Sequence, residues 1–301
     1  MKNSIIKKIE LLKKKIEAII LVHNYQLPEV QDIADYVGDS LELARKSSNI
    51  NAKVILFCGV QFMAEMAKIF NPDKLVLMPD LHAGCPMADM ISPEKLQKEK
   101  DSHPDATVVC YVNSTVDVKA LSDICCTSAN GVRVAKSIEN EEIIFVPDKY
   151  LGSYVARQVN SKKFYLWKGY CPTHMLFSKE GLLEIKEENP DAEILAHPEC
   201  RLDVQEIADE ICSTSQMIIH SRESRAKKFI ICTELGMLYR LKKENPTKEF
   251  IPGNPNAICP NMKLTNLEKI LWALEDQKFE IKVEESIRIK ALKTIERMVK
   301  I

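Results

Sequence analysis

Cys85, Cys171 and Cys259 each stand directly before a proline, in AGCPMAD, KGYCPTH and NAICPNM. These flanks place them in loops after short apolar runs, where a thiolate can serve as a soft metal ligand. Three thiolates brought to one point suit a cubane iron–sulfur cluster whose fourth iron has no protein ligand. Such an open iron can bind a substrate oxygen as a Lewis acid, and loss of water is the chemistry expected of it. A zinc site completed by a histidine is the competing metal reading. The other cysteines read differently. Cys58 in VILFCGV and Cys110 in ATVVCYV sit inside apolar runs, where a free cysteine behaves as a small hydrophobe. Cys125 and Cys126 are adjacent and read as structural. Neither a CxxC pair nor a cysteine–histidine finger spacing occurs, so the common zinc modules lack support.

The elements that would bring these loops together repeat along the chain. The runs AIILVHNY (18–25), ATVVCYVN (106–113) and AEILAHPE (192–199) recur at intervals of 88 and 86 residues. Each is apolar, rich in β-branched residues and polar at its end, as expected for a strand of a buried parallel sheet. With the runs aligned at their alanines, second strands VILFCG, IIFVPD and FIICTE start at offsets +36, +37 and +37. Helical segments follow, then a third apolar run, and each unit closes on a cysteine at offset +67, +65 or +67. The pattern β-α-β-α-β-Cys predicts right-handed crossovers and a parallel sheet in each unit. An approximate threefold axis relating the units would make the three cysteine loops converge.

The same alignment puts His23, Tyr111 and His197 at offset +5, and Tyr25, Asn113 and Glu199 at +7. Positions two apart on a strand share a face, and ligands of parallel sheets bind beyond the carboxyl ends of the strands. Six hydrogen-bonding groups are thereby expected to converge. Ser40, Ser128 and Thr214 share offset +22, each before a segment that can form a helix. They read as helix N-caps, and a hydroxyl beside free helix-start N–H groups also binds phosphate or carboxylate. No Gly-rich phosphate loop and no GxGxxG occurs.

Composition narrows the function classes. Against 42 basic residues stand 43 acidic ones, a net charge of -1, so no global field attracts nucleic acid or an anionic membrane. Lysines near the start of the chain alternate with isoleucine and leucine at helical spacing and read as a solvated helix face. No run has the length of a membrane span and none reads as a signal peptide, so a cytoplasmic enzyme with reduced thiols is expected.

The segments HNYQ, GDSLELA, FCGVQFMAEMAK, GCPMAD, CYVNS, CTSANG, GYCPTH, HPEC, FIICTE and CPNMK resemble, in order, the signature segments of the quinolinate synthase family. The resemblance implies three homologous αβα sandwich domains with parallel sheets about a pseudo-threefold axis. On this pattern residues 1–86 form the first repeat, joined by C-terminal helices in 260–301, while 87–172 and 173–259 form the second and third. It implies a 4Fe-4S cluster with one open iron, held by Cys85, Cys171 and Cys259. It further implies condensation of iminoaspartate with dihydroxyacetone phosphate to quinolinate, in de novo NAD biosynthesis. A transient contact with the enzyme that makes iminoaspartate goes with this reading.

Carried over by motif, catalytic roles fall to Tyr25, Tyr111, His197 and Glu199. Substrate binding falls to these groups and to His23, Asn113, Ser40, Ser128, Ser213 and Thr214. Tyr25 and Glu199 are expected to move protons, because ring closure needs an enolising base and an acid for departing water. Two features depart from the family pattern: Pro86 stands where serine is more usual, and Cys212 where glycine is. Met262 after the third ligand argues against a regulatory disulfide there. Two rivals remain at this level. One is another open-iron dehydratase acting on a hydroxy acid. The other is an iron–sulfur sensor, which has no need of six converging polar groups and would bring a basic DNA-binding element.

Overall fold

The computed structural model describes residues 2–301. It contains three four-stranded sheets, every strand pair parallel. The first sheet uses β1 (Ala18–His23), β2 (Tyr36–Gly38), β3 (Val54–Cys58) and β4 (Leu75–Leu77). The second uses β5 (Thr107–Tyr111), β6 (Ile124–Cys126), β7 (Glu142–Val146) and β8 (Lys163–Leu166). The third uses β9 (Glu193–Ala196), β10 (Glu210–Ile211), β11 (Lys228–Cys232) and β12 (Glu249–Pro252). The strand orders β2-β1-β3-β4, β6-β5-β7-β8 and β10-β9-β11-β12 are one pattern repeated.

Register makes the repetition stricter than strand order alone. Ile19 pairs with Ile55, Thr107 with Ile143 and Glu193 with Phe229, all at offsets +1 and +37 from the unit's alanine. On the other side Leu21 pairs with Tyr36, Val109 with Ile124 and Leu195 with Glu210. A one-residue slip would turn every side chain to the opposite face, so shared register means shared faces. The α/β class, the parallel sheets and the triplication expected from the runs are present. The short strands β2, β6 and β10 were not foreseen.

Two side-chain devices hold that register. In each unit an aspartate fifteen residues beyond a first-strand amide accepts its N–H: Ile20 N to Asp35 Oδ2 at 2.7 Å, Val108 N to Asp123 Oδ2 at 2.8 Å, and Ile194 N to Asp209 Oδ2 at 2.7 Å. The aspartate's own N–H returns to the carbonyl of the same strand residue, at 3.0, 3.1 and 2.9 Å. Backbone groups near the point where the edge strand begins are therefore satisfied without a full ladder. Likewise Lys74, Lys162 and Lys248 each donate to the carbonyl 24 residues earlier, those of Ile50, Ile138 and Ser224. Each lysine sits just before or at the start of its fourth strand and ties it to the loop leading into the third strand.

The central strands are apolar over most of their length, with polar residues at their ends. β3 is buried at all five positions, as a sheet covered on both faces requires. Near the C-terminus, helix Leu267–Asp276 packs on helix Lys2–Lys15 and on β3. Helix Glu285–Lys300 packs on helix Val116–Leu121 and β6, and also on helix Gln61–Phe70, so it bridges the first two units.

Asp123→Ala should leave the fully buried Val108 N–H without a partner, at a cost of roughly 1–3 kcal/mol. Asp123→Asn keeps an acceptor and should cost less. The midpoint of chemical denaturation measures both, and equal losses for the two variants would show that the bond is not what stabilises the strand.

Candidate active site and metal centre

The carboxyl ends of β1, β5 and β9 open into one cavity of about 150 Å³ lined by all three units. A tight turn follows β1 and another follows β9. Gln26 N donates to His23 O at 3.0 Å in the first, and Cys200 N to His197 O at 2.9 Å in the second. In the second unit the Ser114 hydroxyl makes the matching bond, to Tyr111 O at 2.9 Å. These turns aim the side chains at offsets +5 and +7 inward. His23, Tyr25, Tyr111, Asn113, His197 and Glu199 all line the cavity, together with Ser40, Ser128 and Thr214.

Glu199 is the centre of the polar network. Tyr111 Oη donates to its Oε1 at 2.5 Å and Asn113 Nδ2 at 3.3 Å. His174 Nδ1 lies 2.8 Å from its Oε2, an ion-pair distance at an angle short of a well-formed hydrogen bond. Burial opposes ionisation of Glu199, but His174, His197 and the hydrogen bonds outweigh it and hold the carboxyl below its ordinary range. Burial, reinforced by that carboxylate, pushes the phenols of Tyr25 and Tyr111 well above theirs, so both stay protonated. His23 and His197 are lowered to about 3, chiefly by burial, and are neutral imidazoles at neutral pH.

Contacts between units fix the other groups. Tyr25 Oη is 2.6 Å from Thr233 Oγ1, which also meets His174 Nε2 at 2.9 Å. His197 Nε2 is 3.1 Å from Ser128 Oγ, and Asn24 Nδ2 donates to Thr214 Oγ1 at 2.8 Å. The helix starts differ from the expected caps, two of them by a single residue. Asp39, not Ser40, caps helix Ser40–Ser47, and Ser213, not Thr214, caps helix Thr214–Glu223. Ser128 precedes helix Gly131–Ser137, for which Asn130 is the cap residue. The three hydroxyls at offset +22 are thereby left to the cavity, whereas Ser213 is engaged in a capping box with Gln216 and does not line it.

Cys85, Cys171 and Cys259 also line this cavity, in loops that follow β4, β8 and β12 and precede one-turn helices Ala88–Met90, His174–Leu176 and Asn261–Leu264. Backbone amides of its own loop favour the ionised form of each sulfur, those of Ala88 and Met87 for Cys85, His174 for Cys171, and Met262 and Asn261 for Cys259. Burial pushes the Cys85 thiol up to about 12 and raises the other two, and at Cys171 the charges of Cys85 and Cys259 add to the rise. Such amides favour thiolate, which a bound cation would complete. The donor set thus fits a thiolate-held metal centre.

Sequence reasoning missed four groups around this centre. His174 is buried, and with Cys171 and Glu199 it presents three ligand atoms within 4.8 Å of one another. Its signal lay in Cys-Pro-Thr-His, a segment used above only for its cysteine. Glu234, fully buried, accepts from Cys259 N at 3.1 Å and from Gly236 N at 2.7 Å, and Lys263 Nζ lies 2.8 Å from its Oε1. Thr233 precedes it at the end of FIICTE.

Comparison with known proteins agrees with this geometry. Residues 7–300 match the family model described as quinolinate synthetase A protein. A quinolinate synthase of Dehalococcoides mccartyi is 52% identical over 294 residues, covering 98% of this chain and 97% of that one. One from Thermodesulfovibrio yellowstonii is 52% identical over 298 residues, covering 99% and 98%. One from Clostridium kluyveri is 48% identical over 297 residues, again covering 99% and 98%. With a family model spanning nearly the whole sequence and relatives this similar from end to end, the chain belongs to the quinolinate synthase family, enzymes of NAD biosynthesis.

Proposed function

We propose that this enzyme condenses iminoaspartate with dihydroxyacetone phosphate to quinolinate, releasing phosphate and two waters. The observation that carries the proposal is the meeting, in one cavity, of three proline-flanked cysteine loops and the Glu199 network. Cys85, Cys171 and Cys259 would hold a 4Fe-4S cluster. Bound there, it would supply Lewis acidity toward a departing hydroxyl from an iron that no cysteine ligates.

The roles of the chain's own groups follow from their ionisation. Glu199, kept as carboxylate, is the base for enolisation, and Tyr111 and His174 hold it in place. Tyr25, kept as phenol, is the proton donor for departing water, with Thr233 fixing its oxygen. His23, His197 and Asn113 orient substrate carboxylates as neutral hydrogen-bonding groups. Ser40, Ser128 and Thr214 bind carboxylate or phosphate oxygens. Ser213 contributes by fixing the helix start that presents Thr214.

The reading places the reaction in the cytoplasm, where thiols stay reduced. It also assigns the repeats as domains 1–86, 87–172 and 173–259, with 260–301 packed back on them. No helix among the described residues is long and apolar enough to cross a membrane. Iminoaspartate is an imine open to hydrolysis, so an enzyme that produces it is the fitting transient partner.

Two outcomes are expected. Anaerobically purified protein should carry iron and sulfide, and Cys171→Ser should lose both along with quinolinate formation. Cys232→Ala, in the buried strand β11, should change stability only. Zinc alone in the parent would replace the cluster by a single ion, for which Cys171, His174 and Glu199 offer the donors.

Glu199→Gln and Tyr25→Phe should keep the full iron and sulfide content and the parent spectrum. Each should slow quinolinate formation by about 10²- to 10⁴-fold, the usual worth of one positioned acid or base. Near-parental turnover in both variants would remove these residues from the chemistry.

A further inference from the structure

At offset +13 of the three units stand Gln31, Lys119 and Gln205, all buried, with 5%, 0% and 4% of their surface exposed. None lines the cavity. Each lies on the short helix that follows the first-strand turn: Pro28–Asp32, Val116–Leu121 and Leu202–Ile207. Each turns its terminal nitrogen back on that turn. Gln31 Nε2 donates to Gln26 O at 2.9 Å, Lys119 Nζ to Ser114 O at 2.6 Å, and Gln205 Nε2 to Cys200 O at 2.8 Å. These three acceptors are again equivalent, all at offset +8. The same nitrogens of the two glutamines also reach Asn24 O at 3.1 Å and Pro198 O at 2.8 Å.

We propose that Gln31, Lys119 and Gln205 are three copies of one positioning device, a buried nitrogen donor that clamps each first-strand turn and so fixes the cavity side chains at offsets +5 and +7. The clamped segments carry His23 and Tyr25, Tyr111 and Asn113, and His197 and Glu199. A turn whose carbonyls point inward has no water to satisfy them, and a long side chain from the next helix does so instead. In the first unit the clamp also reaches across the molecule. Gln31 Nε2 meets Gly236 O at 3.1 Å, where a Cβ on Gly236 would lie 2.5 Å from Tyr25 O, so only glycine lets the two backbones approach.

The second unit shows that donation, not the amide group, is the requirement. There the donor is an ammonium, 5.1 Å from the Phe62 ring centroid, on a helix placed like the other two. A glutamine at that position has the same task that Gln31 and Gln205 perform. The effect on catalysis rests on the function proposed above, but the clamp itself does not.

The test compares Lys119→Gln, Lys119→Met and Gln205→Met in the full chain as purified. Lys119→Gln restores an N–H donor and should turn over within a few-fold of the parent. Lys119→Met and Gln205→Met keep length and burial but donate nothing. They should lose about 10²-fold in kcat, the scale expected when catalytic groups are misplaced by about 1 Å. Their metal content should be unchanged. Amide hydrogen exchange reads the clamp without reference to any substrate: the Cys200 amide should exchange roughly tenfold faster in Gln205→Met. Lys119→Gln as impaired as Lys119→Met would overturn the proposal, as would unchanged exchange at Cys200. If Lys119→Met fails to fold, Gln205→Met alone decides. A parent that makes no quinolinate would remove the function proposed above and leave the exchange result to judge the clamp.

Discussion

A carboxylate with almost no exposed surface cannot stay ionised unless its neighbours supply what water would have. Glu199 is such a group, and its neighbours come from distant parts of the chain: Tyr111 ends β5 and Asn113 follows in the turn, both in the second unit, and His174 comes from the loop after β8. Removing one partner of a buried charge commonly costs about 3–5 kcal/mol, because the charge is left uncompensated. The third unit therefore cannot slide against the second without a large penalty. The group assigned to the chemistry is also the one that fixes how the units meet, so packing and reactivity are set by the same contacts.

Triplication separates the residues of the frame from those of the site. Where the three units need the same thing, the residue repeats. Aspartate recurs at offset +17 and lysine at +56, each making the same bond to the same backbone position. Facing the cavity, the cysteines and the hydroxyls at offset +22 repeat while other positions vary. Offset +7 holds Tyr25, Asn113 and Glu199, and +42 holds Val60, Asp148 and Glu234, of which Val60 and Glu234 line the cavity. The proposed condensation needs a base, an acid and neutral binding groups around one small volume, and three equivalent strand ends offer differently filled copies of one position. Lys119, at an otherwise glutamine position, is a variation behind the cavity wall rather than in it.

Much of this was legible before any coordinates. The long central strands carry apolar runs that no other element explains, and the recurrence of the runs gave unit, order and convergence together. What escaped detection has physical reasons. Strands β2, β6 and β10 are two or three residues long, too short for any periodicity. Two of the caps were misplaced by one because Asp39 and Ser213, equally good cap residues, stand immediately before Ser40 and Thr214. His174 acts on Glu199, far from it along the chain, so nothing local reveals its partner. Helix Glu285–Lys300 is amphipathic, but its sequence does not say that the face it covers belongs to two units at once.

The cysteines show how local sequence can separate a proposed ligand from a packing residue. Cys58, Cys110 and Cys232 are followed by Gly59, Tyr111 and Thr233, and their backbones continue out of a strand. Cys85, Cys171 and Cys259 are followed by proline, whose fixed φ turns the chain immediately into a one-turn helix. Backbone amides two or three residues on favour the ionised form of each sulfur. Proline itself has no N–H to contribute, so the donors must come from those later positions. Burial alone would keep three thiols neutral in one cavity, and three thiolates alone would repel one another. Nearby amides lower the cost of each ionised sulfur, and a shared cation, as proposed, would make all three stable together.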